Sequence, residues 1–239
     1  MYKRILLKLS GEALKDEANQ MILDAERIDG LSSMMKELHD NGVEVAVVIG
    51  AGNVWRGKLA NKIGIEPVPA DFMGMLGTVI NAVAMASSLR KMGVEAEVYS
   101  AVPAIDGVTL PYDKDAANES LAKGKVVFLA GGTGKPFFTT DTAAALRAVE
   151  LGCKAILMGK NGVDGIYTAD PDKDPNAQFI KTISFAEIIK RKLQVMDISA
   201  VELIKNTDID VRVFSMADPE NFLRVAKGED IGTTVNKGE

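Results

Sequence analysis

The sequence predicts an α/β fold, a three-layer αβα sandwich around a mostly parallel β-sheet. Short apolar runs alternate with segments whose apolar residues recur at helical spacing. Such alternation places consecutive strands side by side in one sheet, with helices packed on both faces. Glycine clusters follow four of the predicted strands, where an open α/β sheet turns from a strand into a helix.

The first part of the chain predicts three strands and two helices. Residues 4–9 (RILLKL) and 43–49 (VEVAVVI) are short and rich in leucine or β-branched residues, so both are predicted as buried strands. Between them, apolar residues recur at helical spacing over residues 28–38. The apolar segment 72–92 is too long for a strand and predicts a helix that leads into a third strand, residues 94–99.

The rest of the chain continues the alternation without an internal repeat or a flexible linker. Each further helix has apolar residues three and four positions apart, and each further strand is a short apolar run. The predicted helices are residues 115–122, 141–151, 184–192, 199–206 and 219–226, and the predicted strands are residues 125–130, 154–158 and 210–214. The whole chain, residues 1–239, is predicted as a single domain, with a division into lobes near residue 152.

Composition and charge narrow the class of protein. The net charge is −5, which argues against non-specific binding of nucleic acid. No uninterrupted apolar run approaches the roughly 20 residues that span a bilayer, so no membrane association is expected. The single cysteine, Cys153, cannot form an internal disulfide, and a reducing cytoplasm is the expected setting.

Four glycine loops predict one shared anion site. They are Ser10-Gly11, GAGNVWRG (50–57), GGTGKPFFTTD (131–141) and GKNGVDG (159–165), and three of them carry a lysine or arginine. Because parallel strands end at the same edge of a sheet, these loops are expected to lie together. Glycine-rich backbone and helix N-termini bind anions, and Arg56 adds a bidentate phosphate donor.

The loop 131–141 resembles a P-loop only in part, because Leu129 stands where that motif requires glycine and Pro136 where it requires serine or threonine. Its hydroxyls and its aromatic pair suit the phosphate, sugar and base of a nucleotide. A structural strand-to-helix turn with both phenylalanines in the core is the alternative. Thr140 or Asp141 is predicted to cap the helix that follows.

Three charged residues are candidates for chemistry. Lys8 interrupts an apolar strand, and an unpaired buried ammonium is costly, so Lys8 is expected to face a ligand or a carboxylate. Asp141 is the predicted partner. Asp197 has two open interpretations, as a support for lysines or a metal-bound water and as a purely structural residue. No metal site built from protein side chains is predicted, since the aspartates of TADPDKDP do not fit an EF-hand.

Several motifs together resemble the bacterial UMP kinases, a branch of the amino acid kinase family. The resemblance runs in order from Tyr2 to about Thr234, and the segment Thr133–Thr140 is its most specific part. The motifs are KLSGEAL (8–14), IGAGNVWRG (49–57), DFMGMLGTVINAVA (71–84), GTGKPFFTTDTAAALRA (132–148), VDGIYTADPDKDP (163–175) and VMDISA (195–200). Ala51 departs from the family pattern, which usually has glycine there.

The resemblance implies the amino acid kinase (carbamate kinase-like) fold and phosphoryl transfer from ATP to UMP with Mg²⁺. Residues up to about 152 would form the UMP side and residues from about 153 the ATP side. The implied catalytic residues are Lys8, Asp141, Lys160 and Asp197. Those implied to bind ATP are Lys8, Leu9, Ser10, Gly11, Gly52, Arg56, Asn161, Tyr167 and Asp170. Those implied to bind UMP are Ala51, Arg56, Asp71, Thr133, Gly134, Lys135, Pro136, Phe137, Phe138, Thr139 and Thr140.

The resemblance also implies a homohexamer inhibited by UTP and, in many members, activated by GTP. Residues 15–21 lack the glycines that many relatives carry there, which argues against an effector response through that loop. Two alternatives to a UMP kinase stay open. One is a kinase of the same fold that acts on a carboxylate or carbamate, and the other is a nucleotide-binding regulator without catalysis.

Overall fold

The computed structural model describes residues 1–16, 18–193 and 195–238. Residue 17, in the loop considered for effector response, therefore lies outside the described residues. The main sheet has nine strands in the order β4-β3-β5-β2-β1-β6-β10-β11-β9, and a separate hairpin pairs β7 with β8. The strands are β1 (Arg4–Leu9), β2 (Glu44–Ile49), β3 (Ala96–Ser100), β4 (Leu110–Pro111), β5 (Val126–Ala130), β6 (Ala155–Lys160), β7 (Ile166–Tyr167), β8 (Phe179–Ile180), β9 (Thr182–Ser184), β10 (Asp210–Ser215) and β11 (Thr233–Asn236).

Within the described residues, eight α-helices cover this sheet, and a short 3₁₀ helix, Gly11–Leu14, follows β1. The α-helices are α1 (Ala25–Asp40), α2 (Gly57–Ile63), α3 (Pro67–Lys91), α4 (Lys114–Ala122), α5 (Thr140–Glu150), α6 (Phe185–Arg191), α7 (Ile198–Ile204) and α8 (Glu220–Ala226). The buried residues of α1, α3 and α8 form one apolar core against the sheet, and those of α4 to α7 form a second. The predicted three-layer sandwich is therefore confirmed.

The six predicted strands are the six consecutive central strands, β3-β5-β2-β1-β6-β10, and every pair among them is parallel. Each is buried on both faces, which explains why it reads as a continuous apolar run. The only antiparallel pairing described in the main sheet joins β10 to β11. The division into lobes near residue 152 stays a prediction. Strand β1 pairs directly with β6, so the main sheet is continuous across the proposed boundary.

The short elements were not predicted from the sequence. They are α2, the 3₁₀ helix and the strands β4, β7, β8, β9 and β11. The strands and the 3₁₀ helix have two to four residues, too few for a periodic pattern to develop. Helix α2 is as long as α6, α7 and α8, but Ala60 is its only described buried residue, so it lacks their apolar pattern. Helix α3 also begins earlier than predicted, because Pro67 stands in its first turn, where a proline needs no hydrogen-bond donor.

Helix α3 qualifies the expectation that no segment of the chain is long and apolar enough to span a bilayer. It has 25 residues and a window of mean hydropathy 1.5, so by length and composition alone it could cross a membrane. Small and polar residues interrupt its apolar residues, so the segment contains no long continuous apolar run. Buried residues make up 56% of that window, and they pack against the central strands. Helix α3 is thus a core helix of the domain.

The parallel register brings the glycine loops together. Leu9 at the end of β1 is level with Ile49 at the end of β2, and Leu7 is level with Leu157 of β6. Strand β5 lies on the other side of β2. The loops after β1, β2, β5 and β6 therefore leave the same edge of the sheet, as predicted.

Candidate active site

Three charged side chains meet at this edge, and we call Lys8, Asp141 and Lys160 the Lys8 cluster. Lys8 Nζ lies 2.6 Å from Asp141 Oδ1, and both side chains are largely shielded from solvent. Lys160, at the end of β6, is close enough to feel both charges. Burial, together with the Lys8 ammonium, lowers the pKa of Lys160, and Asp141 opposes part of this shift. The cluster concentrates positive charge where a polyphosphate could bind.

The N-terminus of α5 is fixed by a residue that was predicted to bind UMP and was not predicted as a cap. Thr139 is the N-cap, and its hydroxyl oxygen accepts the backbone N–H groups of Asp141 and Thr142. The prediction of Thr140 or Asp141 as the cap was wrong. Because Thr139 performs the capping, the Asp141 carboxylate is left for Lys8.

Asp197 holds this helix end against α7. Its carboxylate caps α7 by accepting the Ala200 N–H, and it also accepts the hydroxyl groups of Thr139 and Thr142. Both oxygens are therefore engaged by groups of the protein. This geometry favours the structural interpretation of Asp197, with an influence on Asp141 through Thr139.

The turns after β1 and β2 interlock through glycine. A Cβ atom on Gly11 would lie 2.4 Å from both the Gly50 carbonyl oxygen and Asn53 Oδ1, so no other residue fits there. Asn53 forms a reciprocal amide pair with Asn81, a fully buried residue of α3, at 2.8 and 2.9 Å. Asn81 also donates to the Gly50 carbonyl. These contacts hold the second glycine loop against the first.

A cavity of about 280 Å³, which we call the acceptor cavity, opens beside these turns. Lys135 is the only cationic side chain among the described residues that line it. The predicted UMP-binding residues in its lining are Ala51, Asp71, Thr133, Lys135, Phe138, Thr139 and Thr140, and Gly52, predicted for ATP, lines it as well. Ala51 fits because it faces Gly77 of α3, where an added Cβ would lie only 2.8 Å from that of Ala51.

Asp71 and Phe137 close one side of this region. The Phe137 N–H donates to the Asp71 carboxylate at 2.7 Å, and Phe137 adopts a left-handed backbone with φ of 70°. The alternative in which both phenylalanines lie in the core is wrong, because Phe137 is 72% exposed and Phe138 51% exposed. Gly134 and Pro136 continue the same loop, outside the lining of the cavity.

Arg56 does not point into the acceptor cavity. Its Nη2 lies 2.6 Å from Glu12 Oε1, although the two groups are not aligned as a hydrogen bond, and its Nε donates weakly to the Gly52 carbonyl at 3.4 Å. The Arg56 side chain is 66% exposed, so it can swing between Glu12 and a phosphate. Glu12 was not selected from the sequence.

A second cavity, of about 540 Å³, lies on the Lys160 side of the Lys8 cluster, and we call it the donor cavity. Tyr167 and Asp170 line it. Lys173 and the Asp172 N–H lower the pKa of the Asp170 carboxyl, and Tyr167 donates to Asp164. Asn161 is exposed just after β6. Of the residues after β1, Ser10 is exposed, whereas Leu9 packs in the core and its carbonyl accepts the Gly50 N–H.

Glu12, Asn53, Thr78, Asn81 and Arg147 also shape the site and were not predicted from the sequence. Thr78 and Asn81 of α3 and Arg147 of α5 are at least nine-tenths buried. Buried polar residues are expected to be hydrogen-bonded. The available signal was a polar residue on the apolar face of a helix, which does not by itself reveal the partner.

The geometry suits phosphoryl transfer. Lys160 of the cluster lines the donor cavity, and Thr139 and Thr140, directly before Asp141, line the acceptor cavity. Phosphoryl transfer depends mainly on positioning and charge stabilisation. Among the described residues, no group of three or more histidine, cysteine, aspartate or glutamate side chains could hold a metal ion.

Comparisons with known proteins agree with this geometry. The model of the amino acid kinase family matches residues 3–215. The UMP kinase of Bacillus anthracis is 36% identical with a TM-score of 0.95, over 100% of this chain and 97% of the other. The UMP kinase of Ureaplasma parvum is 35% identical with a TM-score of 0.92, over 99% and 100%. The uridylate kinase of Archaeoglobus fulgidus is 28% identical with a TM-score of 0.74, over 97% and 99%. Because the family model covers most of the chain and the similar structures share its fold over nearly their whole length, the chain belongs to the amino acid kinase family.

Proposed function

We propose that this protein transfers the γ-phosphate of ATP to UMP, giving UDP and ADP. The observation that carries the proposal is that the Lys8 cluster is linked to both the acceptor and the donor cavity by residues that line them. Thr139 and Thr140 line the first cavity directly before Asp141, and Lys160 lines the second. Two nucleotides bound end to end would place the transferred phosphoryl group at the cluster.

The reaction requires little acid–base chemistry, because the phosphate of UMP is already a nucleophilic anion. Lys8 and Lys160 stabilise the charge that develops on the transferred group. Asp141 orients Lys8 through their 2.6 Å contact. Asp197 is a positioning residue, since its bonds to Thr139 and Thr142 set the start of α5.

Mg²⁺ would accompany ATP and neutralise charge on its phosphates when bound. The donor set fits a cation that keeps most of its ligands from phosphate and water. Asp141 is the carboxylate of the Lys8 cluster and would approach it most directly. Asp197 is a poor ligand, because both of its oxygens already accept hydrogen bonds.

On the acceptor side, Asp71 would exchange the Phe137 N–H for a ribose hydroxyl of UMP. Arg56 would leave Glu12 for the UMP phosphate, and Thr133 to Thr140 would surround the uridine. On the donor side, Tyr167, Asp170 and Asn161 would hold the adenosine, with Ser10 and Gly11 near the phosphates. Leu9 and Gly52 would contribute backbone groups only.

We also propose a homo-oligomer that works in the cytoplasm, with the hexamer and the UTP and GTP responses that the resemblance implies. Support for self-association comes from α3, which exposes an apolar face at helical spacing. The exposed members of this face are Val68, Phe72, Met73, Leu76 and Ile80. An apolar patch of this kind marks a protein contact in many soluble proteins.

The test is ADP release from ATP and Mg²⁺ with UMP, CMP, carbamate, aspartate or N-acetylglutamate as the acceptor. We expect turnover with UMP and none with the carboxylates or carbamate. Turnover only with a carboxylate or carbamate would replace this proposal with the acyl kinase alternative. Tight nucleotide binding without product at any Mg²⁺ concentration would indicate the regulator.

A further inference from the structure

Arg147 of α5 lies behind the loop of residues 131–139, which we call the acceptor loop, and has no place in the chemistry described above. It is only 4% exposed. Its guanidinium carbon lies 3.6 Å above the centre of the Tyr112 ring, and its Nη1 donates to Glu150 at 2.6 Å. The Tyr112 hydroxyl donates to the same carboxylate oxygen at 2.5 Å. Arg147 is thus clamped in one orientation.

The clamped guanidinium is aimed at the backbone of the acceptor loop. Arg147 Nη2 donates to the Gly132 carbonyl oxygen at 3.2 Å. From the opposite helix, Thr78 accepts the Gly131 N–H at 2.8 Å. The loop is therefore held from α5 and from α3 at two successive residues, both of which have positive φ.

The direction of the Gly132 carbonyl fixes the next N–H group. In a trans peptide the C=O and N–H groups point in opposite directions, and no cis peptide is described. The contact with Arg147 therefore turns the Thr133 N–H away from α5. Thr133 lines both the acceptor cavity and a second cavity on the α5 side, whereas Arg147 lines only the second. Within the described residues, no protein group accepts the Thr133 N–H.

We propose that Arg147 is a positioning residue for the phosphate acceptor, which presents the Thr133 N–H to the bound acceptor nucleotide by fixing the Gly132–Thr133 peptide. The inference rests on the proposed function, since it assumes that UMP occupies the acceptor cavity. Lysine cannot replace this arginine fully, because only the planar guanidinium can stack on Tyr112 while donating in two directions.

The test compares the steady-state kinetics of the wild type, Arg147→Met and Arg147→Lys for UMP and ATP. Loss of one oriented donor is expected to raise the KM for UMP about three- to tenfold in Arg147→Met. The kcat and the KM for ATP should stay within about twofold, as for the loss of uniform binding to one substrate. Arg147→Lys should give an intermediate KM for UMP.

Arg212→Met is the matched control. Arg212 is also 4% exposed and also donates to backbone carbonyls, those of Glu229 and Ile231, but these lie near the C-terminal strand. We expect a lower Tm in both methionine variants and a changed KM for UMP only at Arg147. An unchanged KM for UMP in the Arg147 variants, or equal increases for UMP and ATP, would overturn the inference.

Failure of the proposed function gives a different result, namely a wild type that does not phosphorylate UMP. If Arg147→Met does not fold, Arg147→Lys tests the positioning role, because lysine keeps the positive charge beside Glu150 but lacks the planar guanidinium that donates in two directions. A wild-type KM for UMP in a folded Arg147→Lys variant would then count against the positioning role.

Discussion

At the scale of single residues, Lys8 is the group on which we propose that catalysis depends most. Its ammonium is largely shielded from solvent and lies 2.6 Å from Asp141, which directly follows Thr139 and Thr140 of the acceptor-cavity lining. We expect Lys8→Ala to reduce kcat by on the order of 10²-fold or more while the protein still folds, because a preorganised charge is lost from the transition state. Single-turnover rates, with circular dichroism to verify the fold, provide the measurement. A near-normal kcat would remove Lys8 from the mechanism.

Lys160 should lower the stability of the protein while serving its function. Because burial depresses its folded pKa below the unfolded value, the unfolded chain binds more protons when the pH lies between these two values. The free energy of unfolding therefore rises with pH in that window, and at neutral pH the buried ammonium is a cost.

Lys160→Met should accordingly raise the free energy of unfolding at neutral pH, by on the order of 1 kcal/mol, and lower kcat. The rise in the free energy of unfolding at alkaline pH should be absent from this variant. Thermal unfolding at neutral and alkaline pH measures both effects, with the exposed Lys62→Met as the control. The expectation would be contradicted if Lys160→Met were destabilised and its free energy of unfolding depended on pH as in the wild type.

At the scale of elements, the packing of α3 against the second glycine loop decides which residues the loop can accept. Ala51 and Gly77 form a complementary pair, because a Cβ on Gly77 would lie 2.8 Å from the Ala51 Cβ and 3.3 Å from the Val54 Cβ. A methyl group is thus present on one side of the contact and absent on the other.

Gly77→Ala should destabilise the protein by about 1–3 kcal/mol and raise the KM for UMP, because overpacking displaces the loop. The double variant Ala51→Gly with Gly77→Ala should recover part of both losses, since the shorter of the two contacts is removed. Urea unfolding and kinetics of the four proteins of this cycle give the coupling energy. Simple additivity of the two substitutions would show that the contact is not what limits the loop.

At the scale of the whole molecule, the exposed apolar face of α3 should hold copies of the chain together. Leu76 is 55% exposed near the middle of this face. Leu76→Glu should convert the oligomer to smaller species, because a buried, unpaired carboxylate is costly at an interface. Sedimentation velocity measures the change, and Ile105→Glu, an equally exposed apolar residue in a loop, is the control. A monomeric wild type would dismiss the proposed assembly.

The sequence by itself determined the layered architecture and the edge of the sheet that carries the site. The six central strands are largely buried on both faces, so each can be recognised from its own apolar run without knowledge of its neighbours. Glycines after β1, β2, β5 and β6 likewise mark where close backbone approach is required. The short strands at the sheet edges leave no such record, and they were missed.

Only the tertiary structure decided how the loops are held. The N-cap at Thr139, the Asn53–Asn81 pair and the contact of Arg147 with the Gly132 carbonyl each join groups that are brought together by packing. Two of the three involve backbone atoms, which every residue carries and which no sequence pattern distinguishes. The choice of partner depends on the distance and orientation between packed helices and strands, and those quantities exist only once the sheet and its two helical layers have formed.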